Sequence, residues 1–317
     1  MRQSDKTFSG ILTKIGNGDE LSSDERLCIE ERFRSRHECE EIGGEAVRLF
    51  HKNADVDEYN RSVISAQWNS IAVDVYSGYA VNDQLVSART FVHRLQTNKT
   101  GNLPYMLPLA LNEVYMLTCN LCVEDRMVNG AIGVLRHVDV KQSDEESASS
   151  STGVLSPHVL WLEFMDDSIA GQMTRCKYRA LVLSRPELRS TWTPIQKRKV
   201  SFPVTKQIKC ARVNFPMSPA AALTTHKSQG CTFDKIVFEY DRKQSPQLVY
   251  VAMSRVKSIE GLYITNRDGD YRFHHAQPSL QLRRTWRGFW NETFRRRTRL
   301  GVRRKSATYT CMCRTLE

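Results

Sequence analysis

The strongest constraint on the fold is the order of strand-like and helix-like segments toward the C-terminal side. Residues 235–240 and 262–264 are short, mostly apolar runs with the composition of buried strands. Residues 248–255 between them have a helical pattern, and the apolar run 46–50 is likewise followed by a helix start near 55–64. Strands that alternate with helices build parallel sheets. The sequence therefore predicts an α/β domain.

The middle of the chain has a different pattern. Three further runs have strand character: 114–119, 159–164 and 178–183. Asn129-Gly130 is a strong hairpin-turn signal. Residues 141–153 are acidic and serine-rich, so we expect an exposed loop there. These features predict a β-rich insertion over about 128–210 that interrupts the α/β domain.

The positive charge is concentrated near the C-terminus. The formal net charge is +11, but residues 283–305 contain ten Lys or Arg and one Glu, so the rest of the chain is nearly neutral. Aromatic residues of this segment share one helical face: Trp286, Phe289, Trp290 and Phe294. Such a face suits stacking on single-stranded nucleic acid, or packing on the folded body. The basic runs 295–297 and 303–305 can also be read as nuclear-import signals.

Cysteine usage and hydropathy bear on location. Five of the nine cysteines are scattered singly, while Cys119 with Cys122 and Cys311 with Cys313 form close pairs. The first pair lies in a strand-like run and the second at the chain end, so we expect no tetrahedral zinc site and no bound metal. No secretory signal or long apolar run is visible. We expect a reducing compartment and no membrane partner, with the nucleus first and the mitochondrion as the alternative.

Two stretches have side chains suited to phosphate chemistry. Residues 223–232 combine hydroxyls, His226, Lys227 and Gln229 with Gly230, and such a turn can grip phosphate oxygens. Arg255 emerges from the apolar segment 249–256, and an arginine in this position can neutralise a transferring phosphoryl group. Each stretch alone also has a plainer reading, as a solvated loop or as a surface ion pair.

Together and in this order, these stretches resemble motifs five and six of the PIF helicases (petite integration frequency, first member), which are RecD-like motors of superfamily one. Other segments extend the resemblance. Residues 47–60 are similar to motif four, and the stretch from 101–104 to 129–133 is similar to the segment leading into the family's β insertion. Phe215-Pro216, before the motif-five turn, also fits the family. Residues 1–3 with Phe8 are similar to the end of motif three. The resemblance covers about residues 1–275.

The resemblance implies an α/β fold with a RecA-like parallel-sheet domain of the P-loop-NTPase type. This would be the second motor domain, which has no P-loop of its own, and it would carry an inserted small β-barrel of the Src-homology-three type. The implied boundaries are 1–40 for the tail of the first RecA-like domain and a connecting helix, 41–127 plus 211–275 for the second RecA-like domain, 128–210 for the barrel and 276–317 for the basic tail.

The same resemblance implies an ATP-driven motor that moves 5′ to 3′ on single-stranded DNA. Roles of the family lie in DNA repair, recombination and telomere maintenance. The implied DNA contacts are Asn53, Thr224, His226 and Lys227. The implied nucleotide contacts are Gln3, Gln229, Gly230 and Arg255, of which Arg255 would be the catalytic arginine finger.

One departure from the family is important. No GxxxxGK[ST] sequence occurs in the chain, so no segment provides a phosphate-binding loop. The only resemblance to a Walker B magnesium site is 159–167, with Asp166 and Asp167, and we interpret it as part of the insertion. We therefore expect ATP and Mg²⁺ only in a complete motor whose first RecA-like domain comes from upstream sequence, and no ATPase activity from this chain alone. The alternative is a non-catalytic, nucleic-acid-binding relic of a helicase or mobile element.

Overall fold

The computed structural model describes residues 5–42, 46–78, 81–142, 155–164 and 170–274. Its helices are α1 (Lys6–Asn17), α2 (Ser23–Glu30), α3 (Arg36–Glu41), α4 (Asn53–Val63), α5 (Asn82–His93), α6 (Gln172–Lys177), α7 (Arg179–Leu183) and α8 (Pro246–Met253), with short 3-10 helices at Thr97–Lys99 and Ile259–Gly261. Its strands are β1 (Val47–Phe50), β2 (Trp68–Ile71), β3 (Val73–Ser77), β4 (Met106–Leu109), β5 (Val114–Leu117), β6 (Ile132–Gln142), β7 (Leu155–Phe164), β8 (Thr193–Gln196), β9 (Arg198–Pro203), β10 (Lys209–Asn214), β11 (Met217–Pro219), β12 (Ala222–Thr224), β13 (Ile236–Glu239) and β14 (Leu262–Thr265).

The chain divides into two compact units, one formed by residues up to 49 and from 232 onward, the other by residues 50–231. In the first unit β1, β13 and β14 pair in parallel, with Val47 opposite Ile236 and Ile236 opposite Leu262. α8 lies between β13 and β14 in sequence, as the strand-helix-strand pattern predicts. The predicted α/β class with a parallel sheet is therefore confirmed.

The helices of the first unit begin at polar caps. The Asp5 side chain accepts the Thr7 N–H at 2.8 Å where α1 begins. Ser22 and Glu25 form a capping box at α2, in which each side chain accepts a backbone N–H of the other residue. α1 buries Phe8, Ile11 and Ile15 along one face, and it packs against α8.

The second unit is rich in antiparallel strands. Its largest sheet has five strands in the order β11-β5-β6-β7-β8, and a smaller sheet has the order β3-β10-β9. Asn129-Gly130 forms a turn, as predicted, at the end of the connection 118–131 between β5 and β6, and the Gly130 N–H donates to the Leu117 carbonyl at 2.9 Å. Its core contains large buried side chains such as Leu107, Tyr115, Leu117, Leu135, Leu162 and Phe215.

Part of the predicted insertion lies in the five-stranded antiparallel sheet. The segment Leu155–Phe164 lies in the antiparallel sheet, so the apolar run before Asp166 is not part of the parallel sheet. Asp166 and Asp167 themselves lie outside the described residues, as does 143–154. Because β5 and β11 belong to the same sheet but lie outside 128–210, the bounds of the insertion stay a prediction.

The prediction of a strand at 178–183 is wrong, because Arg179–Leu183 form α7, directly after α6. A short apolar run does not distinguish strand from helix. The preceding helix, α6, is fixed by a long-range contact. The buried Asp125 carboxylate accepts the N–H groups of Met173 and Thr174 in the first turn of α6. Gly171 precedes that turn at φ +79°, where a Cβ would lie 2.4 Å from the Thr193 hydroxyl oxygen.

Candidate nucleic-acid interface

The motif-five turn, defined here as residues 223–232, is closed by hydrogen bonds from its own hydroxyl groups. The Thr224 Oγ1 accepts the Lys227 N–H at 3.2 Å, and the Ser228 hydroxyl donates to the Thr225 carbonyl at 2.8 Å. The Thr225 N–H donates to the Phe50 carbonyl at 3.0 Å. Consecutive turns follow β12 through Gly230. Hydroxyl side chains bonded to nearby backbone groups compete with helix formation.

The turn separates buried from exposed groups. Thr224, Thr225 and Ser228 are buried, while His226 and Lys227 are exposed, together with Gln229 and Gly230. Buried hydroxyl groups therefore fix the shape of the turn, and the His226 imidazole and the Lys227 ammonium group project from it. Thr224 is 5% exposed, so its contact with DNA stays a prediction, and its observed role is to shape the turn.

Position 230 requires glycine because of its backbone conformation, not because space for a side chain is lacking. Its φ is +97°, and a Cβ there would have no atom within 4 Å. Any other L-residue would be strained at this φ, whatever the available space. The glycine therefore lets the chain reverse direction after His226, Lys227 and Gln229.

α4 starts with an exposed Asn53 and has no side-chain hydrogen bond at its N-cap, Lys52. The first turn of a helix has unpaired N–H groups and a partial positive charge, which favour a phosphate oxygen. The exposure of Asn53 is compatible with its predicted contact with DNA. Val56 and Asn60 lie on the buried face of the same helix.

A groove of about 370 Å³ connects α4 with the motif-five turn. Val56, Pro108 and Pro219 contribute apolar surface to it, and Arg61 and Lys227 contribute positive charge. The structure therefore brings one predicted DNA contact, Lys227, to the same groove as the helix that begins with another, Asn53.

Asn60 is a buried member of this groove that the sequence analysis did not single out. Its Oδ1 accepts the Ala222 N–H at 2.8 Å, and its Nδ2 donates to the Ala222 carbonyl at 3.1 Å and the Pro219 carbonyl at 3.4 Å. The available signal was its position four residues after Val56, which places a polar side chain on the apolar face of α4.

Arg255, in the first unit, is the second residue after α8 ends. Its Nε donates to the Val251 carbonyl at 2.8 Å, and its Nη2 donates to the Ser254 hydroxyl at 2.7 Å. A guanidinium near the C-terminal end of a helix can bond to one of the last carbonyls and interacts favourably with the helix dipole. Its action as an arginine finger stays a prediction. Gln3, the remaining predicted nucleotide contact, lies outside the described residues.

Within the described ranges, no three His, Cys, Asp or Glu side chains are grouped to hold a metal ion. None of the described helices has the length and hydropathy needed to cross a bilayer. In the region of the first cysteine pair, Arg198 donates to the Asn120 carbonyl at 2.6 Å and contacts the Cys119 sulfur at 3.5 Å.

Comparison with known sequences points to one kind of enzyme. The chain is 26% identical over 267 residues to the mouse ATP-dependent DNA helicase PIF1, covering 84% of the chain and 33% of that helicase. The zebrafish PIF1 helicase matches at 26% over 268 residues, covering 84% and 34%. A Pif1 helicase of Bdellovibrio bacteriovorus is 42% identical over 50 residues. The chain spans about a third of the length of the vertebrate relatives. No protein-family model matches it.

Solved structures have the same fold. The Pif1 helicase of Candida albicans matches 92% of the chain and 59% of its own, with a TM-score of 0.56 and 18% identity. A Bacteroides Pif1 helicase, in complex with ADP-AlF3 and single-stranded DNA, matches 92% and 56%, with a TM-score of 0.55 and 19% identity. The chain is therefore similar in sequence to the PIF1 helicases, and it has the fold of these solved structures over the part of their length that it spans.

Proposed function

We propose that this chain is the C-terminal half of a PIF-like, ATP-dependent DNA helicase that moves 5′ to 3′. It supplies one wall of the single-stranded DNA channel and the arginine finger, but no Walker A or Walker B motif. Its parallel-sheet unit corresponds to the second RecA-like motor domain, and 128–210 corresponds to an inserted small β-barrel. The proposal extends to the nucleus as location, from the basic runs 295–297 and 303–305.

The exposed pair His226 and Lys227 carries the DNA-binding part of the proposal. Both side chains project from a turn held by buried hydroxyl groups, and Lys227 also lines the groove beside α4. A lysine needs no nucleotide to reach a DNA phosphate, and backbone contacts of this kind are independent of base sequence. The single-stranded DNA in the Bacteroides Pif1 complex supports the same partner for this chain.

The nucleotide part of the proposal requires a partner domain. Gln229 and Gly230 would contact ATP, and Arg255 would neutralise the γ-phosphate after leaving its own helix end. A phosphate-binding loop, its lysine and the magnesium carboxylates would come from the first RecA-like domain. ATP and Mg²⁺ are thus cofactors of the complete motor, and this chain holds neither alone.

A second candidate is a nucleic-acid-binding protein without catalysis. Two observations favour it: no GxxxxGK[ST] occurs in these 317 residues, and the Arg255 guanidinium caps α8. Both candidate functions require that the motif-five turn binds DNA. Supplying a first RecA-like domain from a PIF1 relative distinguishes them, because only the helicase half would then support DNA-stimulated ATP hydrolysis that depends on Arg255.

Binding of single-stranded DNA can be tested by fluorescence anisotropy with a labelled oligonucleotide at several salt concentrations. We expect affinity on the order of micromolar or weaker at physiological salt, as for other non-specific phosphate binding. Lys227→Ala should weaken binding and reduce the slope of log affinity against log salt by about 0.7, because one phosphate contact is lost.

Lys206→Ala is the matched control, since it removes another exposed lysine from a different loop of the same unit. This variant should bind as the unmodified chain does. If the unmodified chain fails to bind single-stranded DNA at low salt, or if the two variants lose the same salt slope, the proposed role of the motif-five turn is wrong.

A further inference from the structure

Asn60 connects two elements that the proposed function assigns to DNA binding. It lies on α4, seven residues after Asn53, and all three hydrogen bonds of its side chain reach the segment that enters the motif-five turn. Asn60 and Ala222 are 162 residues apart in sequence. We propose that Asn60 is a positioning residue that fixes the motif-five turn against α4, and so sets where Lys227 meets a DNA phosphate. This inference rests on the proposed function for its DNA readout.

The chemistry of the contact requires an amide. Ala222 is fully buried, and Asn60 pairs with both its N–H and its carbonyl. A carboxylate cannot donate to the carbonyl, and a hydroxyl is too short to make both contacts at once. An unpaired buried polar group costs free energy, so the pairing holds the Ala222 backbone in one place. Thr224, whose hydroxyl accepts the Lys227 N–H, follows two residues later.

The position of Lys227 therefore depends on a short chain of contacts. Asn60 fixes Ala222, the buried Leu223 and Thr224 continue the strand, and Thr224 orients the Lys227 backbone. Lys227 itself is exposed and lies on the same groove as Asn60. Loss of the Asn60 amide would free this segment without removing any group that touches DNA.

The test compares Asn60→Ala with Asn214→Ala in the full chain. Asn214 is also a buried asparagine of the second unit, and its side chain bonds to Ser70, Pro104 and Phe215 rather than to the motif-five segment. Both variants should lose similar stability. We expect Asn60→Ala to weaken single-stranded DNA binding by about tenfold, equivalent to about 1.4 kcal/mol, while Asn214→Ala stays within about twofold. Equal losses of affinity would overturn the inference.

A second readout does not depend on DNA. Amide hydrogen exchange of residues 222–231 should be faster in Asn60→Ala than in the unmodified chain, and unchanged in Asn214→Ala. Unchanged exchange in Asn60→Ala would overturn the positioning role, whether or not the chain binds DNA. Failure of the unmodified chain to bind DNA would instead contradict the proposed function, and faster exchange would then still support the positioning role.

Asn60→Asp adds a pH profile. The introduced carboxyl would face two backbone carbonyls in a buried site, so its pKa should be raised. Asp57 and Arg61 on α4 and Lys227 across the groove are the charged neighbours. Above that pKa the charged group cannot donate to Ala222, whereas the protonated group can. The affinity of Asn60→Asp relative to the unmodified chain should therefore recover as pH falls, and a flat ratio in a variant that stays folded would contradict the inference.

Discussion

At the scale of single residues, the Asp139 carboxylate contacts three side chains of the second unit. It accepts from both Nη atoms of Arg185, at 2.6 and 3.0 Å, and from the Trp161 Nε1 at 2.9 Å, and it lies 3.1 Å from the His137 Nε2. Burial raises the pKa of this carboxyl, but the hydrogen bonds from Arg185 and Trp161 and the nearby positive charges outweigh burial. Its pKa is therefore held below the usual range.

A depressed pKa makes Asp139 a source of acid sensitivity. Its contribution to the free energy of unfolding is fully present above the unfolded-state pKa, about 4, and is lost as pH falls through the lower folded-state pKa. We expect Asp139→Asn to lower the free energy of unfolding by about 2 kcal/mol at pH 7, and to remove part of the loss seen below pH ~4. Urea unfolding at a series of pH values measures both effects. If the free energy of unfolding of Asp139→Asn and that of the unmodified chain change with pH in the same way, Asp139 is not a source of acid sensitivity.

At the scale of elements, α6 is held by a carboxylate from a distant part of the chain. Asp125 is 2% exposed, and it accepts the N–H groups of Met173 and Thr174 as well as the Thr174 hydroxyl at 2.7 Å. The residue before the helix is Gly171, which has no side chain for this purpose. A helix of six residues is too short to be stable by itself in water, so Asp125 substitutes for a local cap.

We expect Asp125→Ala to lower the free energy of unfolding by about 2 kcal/mol, the upper range for loss of a helix cap, and to speed amide exchange in α6 and α7. Glu124→Ala is the matched control, because it removes an exposed neighbouring carboxylate. Urea denaturation and hydrogen exchange by mass spectrometry give the two readouts. Equal exchange rates in α6 for both variants would show that another contact stabilises this helix.

At the scale of the whole molecule, the prediction concerns ATP. Phosphoryl transfer requires a magnesium ion, a lysine, a cradle of backbone N–H groups and an arginine finger together. The 317 residues supply a candidate finger, Arg255, but no GxxxxGK[ST] sequence. One such contact contributes only a few kcal/mol to lowering the barrier. The purified chain should therefore hydrolyse ATP below ~1 s⁻¹, the lower end of ordinary enzyme turnover, even when DNA is present. A faster, DNA-stimulated rate from a contaminant-free preparation would indicate an unrecognised phosphate site.

The sequence by itself determined the local features of this protein. The alternation of apolar runs with a helical segment predicted the parallel strands β13 and β14 and the helix α8 between them. Asn129-Gly130 predicted a turn, because such a signal depends on interactions within a few residues. The order of the motif-like stretches likewise sufficed for the resemblance to PIF helicases, which the comparisons confirm.

Only the tertiary structure decided features that depend on contacts between distant residues. The apolar run 178–183 belongs largely to α7, next to α6, whose first turn is bound by Asp125. Asn60 looks in sequence like any polar helix residue, yet its amide pairs with Ala222, far away along the chain. Local patterns report the preferences of a short segment, whereas the pairing of a buried polar group is fixed only when the whole chain has folded around it.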